Sequence, residues 1–232
     1  MPKDLPPNPF SKALPPVVPL ADWQAEIASL REQEKALTRA HDALNAQRRR
    51  LPMVEVSKPY TLQGEEGSVS LHELFQERTQ LILYHFMFGP DDEKGCPGCS
   101  WVADALPHAA HLNARDTSLA MVSRAPLPKL LAYRQEMQWQ VPWYSSFGSD
   151  FNYDFNATNN DGENHVASIF LRDEGRIYWS YYTDNRGVEH LGSHWSYLDL
   201  TPFGRQEPWE DSPTGRPKGD PHWTRRHNEY ER

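Results

Sequence analysis

Two cysteines stand in the 232-residue chain, and two residues separate them: Gly95-Cys96-Pro97-Gly98-Cys99-Ser100. The chemistry open to such a pair is exchange between a dithiol and a disulfide. An apolar run over 79–88 precedes the motif, and a helix-like run, Trp101-Val102-Ala103-Asp104-Ala105-Leu106, follows it. That context puts the first cysteine where unpaired helix N–H groups and the positive end of the helix dipole favour a thiolate. Cys96 is then the attacking sulfur. Cys99, about one turn on, is the resolving thiol that closes the disulfide. A four-thiolate zinc site would need a second cysteine pair. A purely structural disulfide here would close a loop too short to constrain much of the unfolded chain.

The elements that must carry this motif read off the hydrophobic pattern. Residues 80–88 are apolar on both faces, as in a central strand covered on two sides. The helix after Cys99 meets Pro107, which kinks or restarts it. Residues 119–123 form a second buried strand, and a helix with proline in its first turn follows from Pro126 to about Met137. Strand and helix alternating at this spacing imply crossover connections and a mainly parallel core. Val166-Ala167-Ser168-Ile169-Phe170-Leu171 and Arg176-Ile177-Tyr178-Trp179-Ser180-Tyr181 flank an Asp173-Glu174-Gly175 turn, the pattern of a β-hairpin. Upstream, 54–69 reads as strands around a Gly64-Glu65-Glu66-Gly67 turn. Ser70 with Glu73 is a capping box.

The ends differ from this centre. Residues 1–20 hold seven prolines and read as an extended arm. Residues 21–51 read as an amphipathic helix with Asp22 as N-cap and Pro52 as stop. Trp23, Ile27, Leu30, Leu37 and Leu44 form its apolar stripe, interrupted by Glu34 and His41. The stripe suits docking on its own domain, with a homodimer through arm and helix as the alternative. The domain proper spans 52–203, and 204–232 is a proline- and charge-rich tail that wraps the surface. Net charge is −8, which argues against nucleic acid as a partner. No apolar run approaches the roughly 20 residues that span a bilayer. Without an export pattern or a disulfide framework, the reducing cytoplasm is the expected compartment.

Several segments together resemble one bacterial family, the thioredoxin-like domain of unknown function 899. They are Leu51-Pro52-Met53-Val54, Tyr84-His85-Phe86-Met87-Phe88-Gly89-Pro90, the cysteine motif, His111-Leu112-Asn113-Ala114-Arg115-Asp116 and Ser123-Arg124-Ala125-Pro126-Leu127. Gly148-Ser149-Asp150-Phe151-Asn152-Tyr153-Asp154, Phe170-Leu171-Arg172-Asp173 and Tyr197-Leu198-Asp199-Leu200-Thr201-Pro202 complete the set. The resemblance covers roughly 20–230. It implies an α/β, thioredoxin-like fold: a central mixed sheet flanked by helices, with an N-terminal helical extension and an irregular C-terminal tail. It also implies membership of a group labelled dithiol-disulfide oxidoreductases. Substrate, a small molecule or one dedicated protein, stays open.

Matched to thioredoxin relatives, the strand before the motif places His85 where a proton acceptor for Cys99 is expected, and an imidazole can serve near neutral pH. The alternative is a core histidine satisfied by a backbone carbonyl. Two departures count against general protein-disulfide exchange. Val166-Ala167-Ser168-Ile169 has no proline where relatives carry a cis-proline, and Gly95 replaces the usual aromatic before the motif. A peroxidase pattern also fails, because Pro90 stands six before Cys96 and Glu93 occupies the place of a hydroxyl residue. Trp101, Tyr144, Phe151 and Tyr153 are the expected pocket residues beside the cysteines. No cofactor is required, but a copper site is a second reading. Two thiolates with an imidazole suit Cu(I), and His85, His108, His111, His165, His190 and His194 are candidate ligands. Asp104, His108 and His111 share one helix face if Pro107 leaves the helix unbroken. A non-enzymatic thioredoxin-fold scaffold is the third reading.

Overall fold

A computed structural model describes residues 14–212, 214–215, 219 and 223–230. The arm read at 1–20 lies outside the described residues as far as residue 13. The chain divides into two units. One holds the described residues up to Leu51 together with those between Trp195 and Trp223; the other holds Pro52–His194 and the described residues from Thr224 onward.

In the first unit, helix α1 (Leu20–Arg48) begins after Pro19, which serves as its N-cap, so the expected cap Asp22 lies inside the first turn instead. There it still favours the positive helix end. Trp23, Leu30, Leu37 and Leu44 of the apolar stripe are all exposed, and no residue of α1 is buried. Further along, the Arg205 guanidinium grips both carboxylate oxygens of Asp199 at 2.7 Å each.

The second unit is built on an eight-stranded sheet. Its strands are β1 (Val54–Glu55), β2 (Thr61–Gly64), β3 (Gly67–Ser70), β4 (Gln80–His85), β5 (Thr117–Ser123) and β6 (Trp143–Ser145). A separate small hairpin, β7 (Thr158–Asn159) and β8 (Gly162–Glu163), precedes β9 (Val166–Asp173) and β10 (Arg176–Asp184). The sheet order is β1-β10-β9-β4-β5-β6-β2-β3. Only β4–β5 and β5–β6 pair in parallel; the remaining pairs are antiparallel. The sheet is therefore mixed, not mainly parallel. Between β4 and β5 run α2 (Pro97–Asp104) and α3 (Ala109–Asn113). Helix α4 (Leu127–Glu136) joins β5 to β6, and α5 (Phe151–Asp154) follows β6. The order β10-β9-β4-β5, with a helical crossover between two parallel strands and an antiparallel hairpin added beside the first, is the thioredoxin-like arrangement.

Local chemistry accounts for these elements. Glu174 and Gly175 take φ of 47° and 79°, the left-handed pair that a two-residue turn between twisted strands requires. The Ser70 and Glu73 side chains exchange capping bonds with each other's N–H at 2.7 and 3.3 Å, closing a short 3-10 turn. Pro107 does break the helix: α2 ends at Asp104, and His108 caps the separate α3 with its ring accepting from the Ala110 N–H at 3.2 Å. Asp104, His108 and His111 thus do not share a continuous helix face.

Strand periodicity divides the core in two. Leu81, Leu83 and His85 face one side with Phe75, Phe151, Phe155 and Phe170. Tyr84 faces the other side, where Phe86, Tyr133, Trp139 and Trp143 stack at centroid separations of 4.8 to 6.4 Å. Among the described residues no helix is long and apolar enough to cross a membrane.

Candidate active site

Cys96 occupies the N-cap of α2, with φ −56° and ψ 133°, and Pro97 opens the first turn. Proline suits that place because its missing N–H would have no helical partner. The chain returns to the sheet at once: the Cys96 N–H donates to the Met87 carbonyl at 3.1 Å. Gly95 is required by space. A Cβ there would lie 2.6 Å from Phe86 and 2.8 Å from Tyr133, so the space of the missing aromatic before the motif is taken by two others, one just past β4 and one on α4. Gly98 is open, with only the Cys96 sulfur near its would-be Cβ, at 3.9 Å.

The two thiols are free and sit in unlike surroundings: Cys96 is partly exposed, whereas Cys99 is buried. The neighbouring Cys99 thiol favours a Cys96 thiolate most; burial opposes it. The Cys99 and Gly98 amides and the Arg226 charge add to the first effect, and the balance brings Cys96 from 9.0 down to about 6. No close capping bond forms to the sulfur, so the amides act on it as dipoles at the helix mouth. For Cys99 the direction reverses. Burial and the adjacent Cys96 push its thiol well above the usual range, against support from Tyr84 and from the Met87 N–H, which donates to its sulfur at 3.4 Å.

His85 is corrected by strand alternation. Tyr84, not His85, points at Cys99. The fully buried Tyr84 hydroxyl has no oxygen or nitrogen partner, and the Cys99 sulfur is its polar neighbour. His85 lies on the opposite face, stacked on Phe151 at 5.7 Å with Nε2 3.0 Å from the Ser168 hydroxyl. Burial holds its ring neutral, with a pKa down at about 3. A one-residue step along a strand moves a side chain through the sheet, and the sequence match did not resolve that step.

The expected pocket does not assemble. Trp101 shares α2 with the cysteines but is buried and packs on the His194 ring at 4.9 Å. Tyr144 lies against Gly64. Phe151 is core beside His85, and Tyr153 is exposed under the Arg124 guanidinium at 4.7 Å. The segment holding Phe151 and Tyr153 is the helix α5, so strand-like alternation does not apply to it. Two surface grooves near α4 and the β2–β3 hairpin contain neither cysteine.

For copper, no third ligand joins the cysteines: among the described residues no three His, Cys, Asp or Glu side chains gather closely enough to hold a metal ion. Asp104 instead accepts from the Trp139 indole at 2.7 Å and meets His227 at 2.8 Å.

Arg226 escaped the sequence reading. Its guanidinium donates to the Gly95 carbonyl at 2.5 and 3.0 Å and to the Tyr133 hydroxyl at 2.9 Å. Gly95 and Arg226 lie 131 residues apart, so no local pattern links them. The one local signal is Glu229 three residues on, which pairs with Arg226 at 2.9 Å.

No curated protein matches the chain. Solved structures overlap it loosely. Xanthomonas campestris peroxiredoxin Q aligns at TM-score 0.46 and 13% identity, over 57% of this chain and 84% of that one. Peroxidoxin BcpB from Mycobacterium tuberculosis aligns at 0.45 and 13%, over 62% and 93%. Mycobacterium bovis AhpC aligns at 0.44 and 15%, over 62% and 92%. The fold assignment rests on the strand order above, not on these overlaps. The family model described as bacterial protein of unknown function, DUF899, matches residues 12–230, nearly the whole length, and the chain belongs to that family.

Proposed function

We propose that the chain is a thiol–disulfide oxidoreductase working through Cys96 and Cys99. The observation that carries this reading is the asymmetry of the pair: a partly exposed sulfur drawn down to about 6 at a helix mouth, beside a buried sulfur held protonated. A structural pair would have no use for that difference.

The steps balance as a two-electron exchange. The Cys96 thiolate attacks one sulfur of a substrate disulfide, forming a mixed disulfide and expelling the other sulfur as a thiolate. Cys99 then gives its proton to solvent or to the leaving sulfur and attacks the Cys96 sulfur. The Cys96–Cys99 disulfide forms and the second substrate thiol leaves. The substrate gains two electrons that the dithiol loses, and an external thiol reductant restores the pair. While Cys99 is ionised, the Met87 N–H and the Tyr84 hydroxyl stand ready to stabilise its sulfur, in place of His85. Gly95 and Val166 stand where a general disulfide exchanger carries an aromatic and a cis-proline, which favours a small disulfide or one dedicated protein as substrate.

The test uses glutathione and dithiothreitol redox buffers. The pair should pass between dithiol and disulfide, Cys99→Ser should trap a mixed disulfide, and Cys96→Ser should abolish reduction. A Cys96→Ser variant as active as the parent sinks the proposal. Stoichiometric copper in untagged protein, lost in that variant, would assign the motif to metal binding instead. Hydrogen peroxide consumption dependent on Cys96 alone would make the reaction peroxide reduction.

A further inference from the structure

We propose that Arg226 is a positioning residue of the thiol site, so that residues 226–229 form a strap fixing the first turn of α2. The inference rests on the thiol reading above and deepens it.

The geometry is a closed hydrogen-bond ring around the motif. Arg226 holds the carbonyl of Gly95, the residue immediately before Cys96, and also bonds the Tyr133 hydroxyl. That hydroxyl meets the Ser100 hydroxyl at 3.0 Å. Ser100 donates onward to the Cys96 carbonyl at 2.9 Å. The peptide on each side of Cys96 is thereby tied to α4 and to the strap. A half-buried side chain making this many directed bonds leaves Cys96 little freedom in φ and ψ.

The strap is itself anchored away from the motif. His227 meets Asp104, the last residue of α2, and the Asn228 amide donates to Glu136 on α4 at 3.2 Å. Glu229 lies within 3.7 Å of Lys94. The strap thus spans α2 from mouth to end, and the Arg226 side chain is only 15% exposed. A guanidinium suits this place where an ammonium does not. Its planar fork bonds the Gly95 carbonyl on one edge and the Glu229 carboxylate on another, while its charge cannot be lost. Held beside the helix mouth, that charge adds to the dipole that favours a Cys96 thiolate.

The test is the pH profile of Cys96 alkylation by iodoacetamide, read by intact mass, in full-length protein. Arg226→Gln, which removes the charge, should raise the midpoint by at least about half a unit. Arg226→Lys, which keeps the charge and loses the fork, should move it less. Glu229→Gln leaves Arg226 in place and removes the opposing charge. It should lower the midpoint by a few tenths of a unit, and it keeps the proposal testable if the Arg226 variants do not fold. Midpoints that stay at the parent value in folded Arg226→Gln, or in Glu229→Gln where Arg226→Gln does not fold, overturn the proposal. The same data separate the two readings. A parent midpoint near 9 removes the asymmetry on which the redox reading rests, whereas a parent midpoint near 6 that ignores both substitutions removes only the role of Arg226.

Discussion

Removing the Cys99 sulfur tests the asymmetry of the pair most directly. Its thiol is the largest influence favouring the Cys96 thiolate, ahead of the two amides and Arg226. In the parent protein, a Cys96 midpoint of about 6 against 9.0 for an ordinary cysteine sets the expected rates. At pH 5 the thiolate fraction is roughly 900 times that of the ordinary thiol. Its lower intrinsic nucleophilicity takes back about 20-fold over three units, leaving Cys96 about 40 times faster. At pH 7 the same arithmetic leaves only about a four-fold advantage, so the measurement belongs at low pH. Cys99→Ala should shift the midpoint upward. Each unit of that shift slows alkylation at pH 5 by about three- to four-fold. Stopped alkylation with mass readout from pH 4 to 10 gives both numbers. Only one sulfur of the folded parent should react, because Cys99 is 2% exposed. A single-thiol midpoint that is the same with and without Cys99, or equal labelling of both cysteines, would refute the reasoning.

Three further outcomes follow from the geometry. Gly95→Ala forces a methyl into Phe86 and Tyr133, and overpacking of this kind should lower stability by about 1–3 kcal/mol in a denaturant melt. Tyr84→Phe removes a buried hydroxyl that has no oxygen or nitrogen partner. Stability should change little while closure of the Cys96–Cys99 disulfide slows, measured by quenched alkylation after mixing with an oxidant. The third concerns acid. His85 is depressed to about 3 when folded and recovers 6.5 when unfolded. The unfolded state therefore binds the extra proton between those values, and stability falls as pH drops through that window. His85→Gln should flatten the slope by up to about 1.4 kcal/mol per pH unit, read as denaturation midpoints from pH 7 to 4. An equally steep slope in the variant would place the acid sensitivity elsewhere.

Much of the frame was legible because it is written in short-range patterns. The Glu174-Gly175 hairpin, the Ser70–Glu73 cap, the two buried strands and the motif at a helix start each depend on neighbours within a few residues. Aromatic residues were harder to place, since Phe151 and Tyr153 sit on a one-turn helix whose direction is set by packing, not by alternation. His85 was misplaced for a different reason: similarity along the strand gives its position but not which side of the sheet a given residue faces. Tyr84, one step away, was the residue aimed at the sulfur. Nothing local links Arg226 to the motif, because only the folded chain brings it to Gly95.

That last separation has a temporal side. A ribosome adding about 5–20 residues per second needs roughly 7–26 seconds to pass from Gly95 to Arg226. Throughout that interval the emerging cysteines lack the distant cation, while the neighbouring thiol and the amides of the first turn are already synthesised. The smallest of the influences that favour a Cys96 thiolate thus arrives long after the larger ones, which the motif carries within itself.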